Sequence, residues 1–139
     1  MLAEKKLRNK KLIILLLGFG LLLTLFGASK ATAATNTSYV HFEFRQGSPE
    51  DVSWSQYKYS TSGYYLYSTK LYSISNYRAT PCGKNGGKAR VVGPGVTIKS
   101  NKEYRLTNYL VEIYGRGNAA WIHAYKNAYG SAYGTWYAD

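Results

Sequence analysis

Six carboxylates follow residue 33, and two of them are placed where a hydrolase could use them. A glycosidase needs two carboxyl groups that face each other across a cleft. Glu43 and Glu112 are the pair carried by predicted strands, but each lies on the polar side of an amphipathic segment. A solvated sheet edge explains both residues better than an active pair, so the sequence favours a protein that is not an enzyme.

Nucleophiles and metal ligands are also few. His41 and His123 are the two histidines, and a metal site would need further His, Cys or carboxylate ligands at workable spacing. A thiol nucleophile would pair Cys82 with one of these histidines, but Cys82 lies between Pro81 and Gly83 in a predicted loop. We therefore predict no catalytic residues, no metal site and no cofactor.

The N-terminal segment has the organisation of a secretory signal peptide. Five basic residues between positions 5 and 11 precede an uncharged stretch over residues 12–26, which is the order of an n-region and an h-region. That stretch is shorter than the roughly 20 apolar residues that span a bilayer as a helix. Ala31-Thr32-Ala33 matches a small-residue cleavage site. We predict a helical signal peptide over residues 1–33, cleaved after Ala33, and one exported domain over residues 34–139. The alternative is a leader that is kept as a membrane anchor.

The charge of the exported domain differs from that of the whole chain. Six of the 18 basic residues and one of the seven acidic residues precede residue 34, so the domain carries a net charge of +6 instead of +11. A basic surface either attracts anionic partners such as teichoic acids and phospholipid headgroups or serves solubility alone. An exported protein seldom meets nucleic acid, which we therefore exclude as a partner. Cys82 is the only cysteine, so no disulfide can form within the chain.

Tyrosine and hydrophobic patterning predict strands throughout the domain. All 15 tyrosines and all three tryptophans lie there, and aromatic residues favour strands. Apolar and polar side chains alternate over residues 39–45, as a half-buried strand requires. We predict an all-β fold, a small antiparallel β-sandwich or barrel of seven to nine short strands, with one of them over residues 109–114. The polar, glycine-rich residues 80–88 are predicted to form a mobile exposed loop.

Three tandem Ala-Tyr-x-x units occupy residues 124–135. In an extended chain this even period would place their tyrosines on one face, with Tyr137 in register. Such a ladder would stack on sugar rings or mediate self-association. The alternative is two terminal strands joined at residues 127–131, with the tyrosines packed on the core. The candidate binding residues are Tyr125, Tyr129, Tyr133, Arg116 and Lys126.

Three segments together resemble a known group of proteins. They are SKATAATNTSY at residues 29–39, the strand at 39–45 and SAYGTWY at 131–137. The combination resembles small exported proteins of Bacillus-type Gram-positive bacteria, a group classed as a domain of unknown function. A weaker likeness is to lactococcin-type bacteriocins, which are also exported, poor in cysteine, β-rich and aromatic. These resemblances imply an exported β-domain and supply no catalytic motif.

We therefore expect a secreted, non-enzymatic β-domain that is extracellular or associated with the cell envelope. It would bind a cell-wall polymer, either anionic or carbohydrate, or the membrane surface, through basic and tyrosine-rich surfaces. The alternative function is a secreted bacteriocin-like antimicrobial or toxin protein, brought to anionic membranes by its positive charge. A third hypothesis, a hydrolase, would require Glu43 and Glu112 to converge in a cleft.

Overall fold

The computed structural model describes residues 37–139, which form ten strands and one short helix. The predicted signal peptide and its cleavage site after Ala33 lie outside the described residues. All strand pairs are antiparallel, and they form two sheets. The all-β prediction is therefore confirmed for this part of the chain.

The first sheet has four strands in the order β1-β10-β4-β8. Their bounds are β1 Ser38–Phe44, β4 Tyr64–Tyr72, β8 Lys102–Leu106 and β10 Gly130–Tyr137. The first and last described strands are therefore neighbours, with His41 opposite Tyr133. The predicted alternation in β1 is confirmed, because Val40, Phe42 and Phe44 are buried while the residues between them are exposed.

The second sheet is built around β9 (Asn118–Tyr125) and β5 (Tyr77–Asn85), which pair with each other. Two three-residue strands, β2 (Glu50–Val52) and β3 (Gln56–Lys58), share the other edge of β9. The outer side of β5 pairs with two further strands, β6 Lys88–Val91 and β7 Val96–Ile98.

One hydrophobic core joins the inward faces of the two sheets. Phe42, Leu66 and Trp136 come from the first sheet, and Ile98 and Ile122 from the second. All five side chains are almost wholly buried. Removal of apolar side chains from water is the dominant favourable contribution to folding, and the single cysteine, Cys82, is free.

Gly134 allows β10 and β4 to approach closely. A Cβ added at this glycine would lie 2.2 Å from the backbone oxygen of Tyr67. The register between these strands shifts between Tyr133 and Gly134, which is a bulge-like irregularity that re-aims neighbouring side chains. Gly134 therefore helps to set how the tyrosines of β10 lie against those of β4.

Two sequence predictions are wrong at the level of single elements. Residues 80–88 are not a loop, because β5 runs to Asn85 and pairs with β6, which starts at Lys88. Residues 109–114 are not a strand but contain the helix α1, Leu110–Tyr114. Five residues are too few to separate a period of 2 from one of 3.6, and burial of Leu110 in the core accompanies the helical turn.

The predicted range of seven to nine strands is also too low. Three of the ten strands, β2, β3 and β7, have three residues each. Such short strands leave no recognisable hydrophobic period. Their place in the sheet comes from pairing with β9 or β5.

Candidate binding face

The outward side of the four-stranded sheet carries a concentration of aromatic side chains. Residues directly opposite each other in an antiparallel pair point to the same side of the sheet. The registers His41 with Tyr133, Tyr65 with Tyr137, and Thr135 with Tyr67 therefore place these residues together, away from the core. We call this side the tyrosine face, and its tyrosines are Tyr39, Tyr65, Tyr67, Tyr72, Tyr133 and Tyr137.

Tyr133 lies at the centre of a cluster of rings on this face. The His41 ring stacks on it with centroids 4.3 Å apart and an interplanar angle of 12°. Tyr72 approaches from the other neighbouring strand in an edge-to-face arrangement, with centroids 5.4 Å apart. Tyr39 lies 6.3 Å away. Offset and edge-to-face pairs such as these are the favourable geometries for aromatic rings, so the cluster is ordered without being part of the core.

A second stack of rings lies further along β4 and β10. The rings of Tyr65 and Tyr137 are 4.6 Å apart and nearly parallel, at 14°. The Arg105 guanidinium lies 5.7 Å from the Tyr65 centroid, and the Lys70 ammonium lies 4.5 Å from that of Tyr72. These are cation–π distances, so positive charges lie against the rings of this face.

The tyrosine face is accessible to a ligand and close to neutral. Tyr39 is 61% exposed and Tyr72 is 46% exposed. The strands of this sheet carry three basic residues, Lys70, Lys102 and Arg105, and two acidic residues, Glu43 and Glu103, and Glu43 is itself 3.1 Å from Arg45. A surface of exposed aromatic rings with a small net charge suits ligands that stack by their apolar faces and keep their polar edges in water.

The five predicted binding residues are not brought together. Tyr133 lies on the tyrosine face, but Tyr125 is at the end of β9 in the other sheet, and Tyr129 lies in the turn between β9 and β10. Arg116 is in the turn that follows α1, and Lys126 donates a hydrogen bond to Asn76 Oδ1 at 3.0 Å. The even tyrosine period does not produce a common face, because the chain passes from one sheet to the other between residues 125 and 130.

Both alternatives for the Ala-Tyr-x-x units were therefore partly wrong. Two strands are joined in this region, as one alternative expected. Tyr133 and Tyr137, however, lie on the outward side of β10, where the alternating buried positions are Ala132, Gly134 and Trp136. The other members of the tyrosine face were missed. Alternation at residues 64–67 was an available signal, since Tyr64 and Leu66 are buried and Tyr65 and Tyr67 are not.

The residues considered for catalysis lie on separate elements. Glu43 is on β1 of the first sheet, whereas Glu112 is on α1, which contacts β5 and β9 of the second. His41 stacks on Tyr133, and His123 Nε2 lies 3.5 Å from Glu50 Oε2. Within residues 37–139 no group of three or more His, Cys, Asp or Glu residues is arranged to hold a metal ion.

Cys82 lies in a strand, not in the loop that the sequence suggested. It is in β5, directly opposite Trp121 of β9 and Val91 of β6, and is only 7% exposed. Burial raises the pKa of its thiol, and a hydrogen bond with the His123 backbone partly opposes that effect. A thiol with a raised pKa forms less of the nucleophilic thiolate, so the side chain is suited to packing.

The fold and its outward face define a small all-β domain with an exposed aromatic sheet surface. No protein-family model matches the sequence, and no curated protein matches it significantly. Across residues 37–139, no helix has the length and apolar character needed to cross a membrane.

Proposed function

We propose that this chain is a secreted, non-enzymatic β-sandwich domain that binds a carbohydrate polymer of the Gram-positive cell envelope. The observation that carries the proposal is the tyrosine face, where six tyrosines and His41 share one exposed side of a sheet. Pyranose rings have an apolar C–H face that stacks on aromatic rings, and a tyrosine hydroxyl can form hydrogen bonds with sugar hydroxyls.

The spacing of the face suits an extended chain. Neighbouring strands lie about 4.8 Å apart and alternate residues along a strand about 6.5–7 Å apart. Rings from β1, β10 and β4 therefore form a row across the sheet. A polymer lying across these strands would meet several rings in succession, so weak individual contacts would add together. The net charge of +6 after residue 33 would favour approach to an anionic envelope.

Sedimentation with purified, insoluble cell walls tests the proposal. Tyr39→Ala combined with Tyr72→Ala removes the two exposed rings that flank Tyr133. The control combines Tyr129→Ala with Tyr109→Ala, which are 65% and 50% exposed and lie off the face. We expect the first pair to weaken retention about tenfold, corresponding to about 1.4 kcal/mol, and the control pair to leave it unchanged. Equal effects of both pairs, or no retention of the unaltered protein, would contradict the proposal.

A second candidate function is a bacteriocin-like antimicrobial protein, and a different surface favours it. Trp54, Tyr57 and Tyr59 are 83%, 68% and 57% exposed, so three large aromatic side chains within six residues face solvent. Tryptophan and tyrosine are the residues that favour the membrane–water interface. Growth inhibition of related strains by purified protein, beside a denatured control and Trp54→Ala, tests this candidate. Absence of inhibition at micromolar concentration would remove it.

A further inference from the structure

The β5–β6 hairpin ends in a tight glycine turn. Asn85 pairs with Lys88, and Gly86 and Gly87 between them have φ values of 54° and 89°. Positive φ at both central residues is the signature of a two-residue type I′ turn, which matches the twist of the strands on either side. A Cβ added at either glycine would meet no atom within 4 Å. The turn therefore stands in open space, and the residues on either side of it, Asn85 and Lys88, are paired in the sheet.

Positive charge is concentrated on this hairpin. Lys84, Lys88 and Arg90 are all exposed. Residues 77–102 around them contain six basic residues and no Asp or Glu, whereas residues 34–139 as a whole contain 12 basic and six acidic residues. Among the ion pairs of the described chain, none includes a residue of this hairpin. Within the described chain, the three side chains therefore have no carboxylate partner within 4.0 Å.

The strand register distributes the three cations over both sides of the hairpin. Lys84 is opposite Ala89, so these two residues share one side of the hairpin. Arg90 is opposite Gly83, the neighbour of Lys84, and therefore points to the other side. Lys88 and Arg90 are two residues apart on β6, so both point to the other side, with Cα atoms about 6.5–7 Å apart. A flexible chain can contact both sides, whereas a flat surface would meet the cations of one side only.

We propose that the β5–β6 hairpin binds a polymer of phosphodiester units, which passes around the turn and contacts Lys84, Lys88 and Arg90. Arginine forms paired hydrogen bonds with phosphate oxygens, and lysine supplies a compact positive charge. The turn residues Asn85, Gly86 and Gly87 have no apolar side chain to insert into a bilayer. Together with the two-sided arrangement of charge, this favours a soluble polyanion over a membrane surface.

This site is separate from the tyrosine face. The hairpin belongs to the second sheet, whereas the tyrosine face belongs to the first. The two proposals therefore fail independently. Loss of the tyrosine pair Tyr39 and Tyr72 should leave phosphate-polymer binding intact, and changes in the hairpin should leave carbohydrate stacking intact.

The experiment measures binding of the purified protein to synthetic poly(glycerol phosphate) at several salt concentrations. The test variant carries Lys84→Gln, Lys88→Gln and Arg90→Gln. The control carries Arg45→Gln, Arg116→Gln and Lys126→Gln, which remove the same charge from other regions. Inorganic phosphate and vesicles of phosphatidylcholine with phosphatidylglycerol are the two comparison ligands. Circular dichroism checks that both variants keep the strand content.

We expect the hairpin variant to lose at least tenfold in affinity for the polymer and the control to lose less than threefold. Removal of three phosphate contacts should also reduce the slope of log K against log salt by about 2, at about 0.7 per cation for a single-stranded polyanion. Equal losses in the two variants would show a general charge effect and overturn the proposal. Tighter binding to the vesicles than to the polymer would assign the hairpin to a membrane instead, and the absence of polymer binding would also overturn it.

Discussion

The ammonium nitrogen of Lys58 lies 2.9 Å from Oδ1 of Asp139, and the lysine side chain is wholly buried. Lys58 also donates a hydrogen bond to the backbone oxygen of Ala138. The carboxylate accepts further hydrogen bonds from the backbone N–H groups of Tyr59 and Ser60 and from the Ser60 hydroxyl. The network therefore ties the chain after β3 in the second sheet to the chain after β10 in the first.

The two partners of this ion pair respond differently to burial. Burial lowers the pKa of Lys58 and outweighs the opposing effect of Asp139. Burial also acts to raise the pKa of Asp139, but the hydrogen bonds from Lys58, Ser60 and the backbone of Tyr59 outweigh it and leave that pKa below its ordinary value. The donors within 3.0 Å of the carboxylate favour a charged pair at neutral pH.

Asp139→Asn should destabilise the domain because it leaves a buried ammonium without its counter-charge. Removal of one partner of a buried ion pair costs about 3–5 kcal/mol. We expect a loss of about 3 kcal/mol in the free energy of unfolding, at the lower end of that range, because the Asp139 side chain is 28% exposed. Urea unfolding followed by tryptophan fluorescence measures the free energy of unfolding.

Two companion variants separate charge from other effects of Asp139→Asn. Glu103→Gln removes an exposed carboxylate and should change stability by less than about 0.5 kcal/mol. Lys58→Met combined with Asp139→Asn should cost less than Asp139→Asn alone, because the uncompensated charge is then absent. A double variant at least as unstable as Asp139→Asn alone would show that the uncompensated charge is not the cause of the destabilisation.

The contribution of Asp139 should depend on pH in the acid range. Its pKa is lowered on folding, so near its ordinary value of 3.8 the unfolded chain binds more protons than the folded chain. The stabilisation is therefore complete well above pH 3.8 and is lost as the pH falls below it. The stability difference between the unaltered protein and Asp139→Asn should shrink with acidification, measured by urea unfolding from neutral pH downward. A difference that grew on acidification would reverse the sign of the argument.

His41 and Tyr133 should contribute jointly to stability, because their rings stack at 4.3 Å across β1 and β10. Aromatic pairs in such geometry contribute about 0.5–1.5 kcal/mol beyond the area they bury. The cycle His41→Ala, Tyr133→Ala and the double variant, followed by chemical denaturation, should give a coupling energy in that range. The matched cycle of His41→Ala with Tyr129→Ala should give no coupling, since Tyr129 lies in the β9–β10 turn. Equal coupling in both cycles would mean that the stack is not the cause.

Local sequence pattern predicted the β class and part of the core. Alternation over residues 39–45 correctly identified the buried face of β1. The same rule accounts for the buried Ala132 and Trp136 of β10. A period of two depends only on the pleat of one strand, so it can be read without knowledge of the strand's neighbours. It fails for short elements, as in residues 109–114, where burial of Leu110 accompanies a helical turn.

The sequence alone determined that the domain is β-rich, basic and abundant in tyrosine, because composition and alternation are local properties of the chain. Tertiary structure decided which tyrosines share a face. Tyr39 and Tyr133 meet because the first and last strands are neighbours, and Tyr125 and Tyr133 are separated because β9 and β10 belong to different sheets. Likewise, Lys58 meets Asp139 across 81 residues. Pairing of distant strands depends on how both inward faces fill one core, and no short window of residues contains that information.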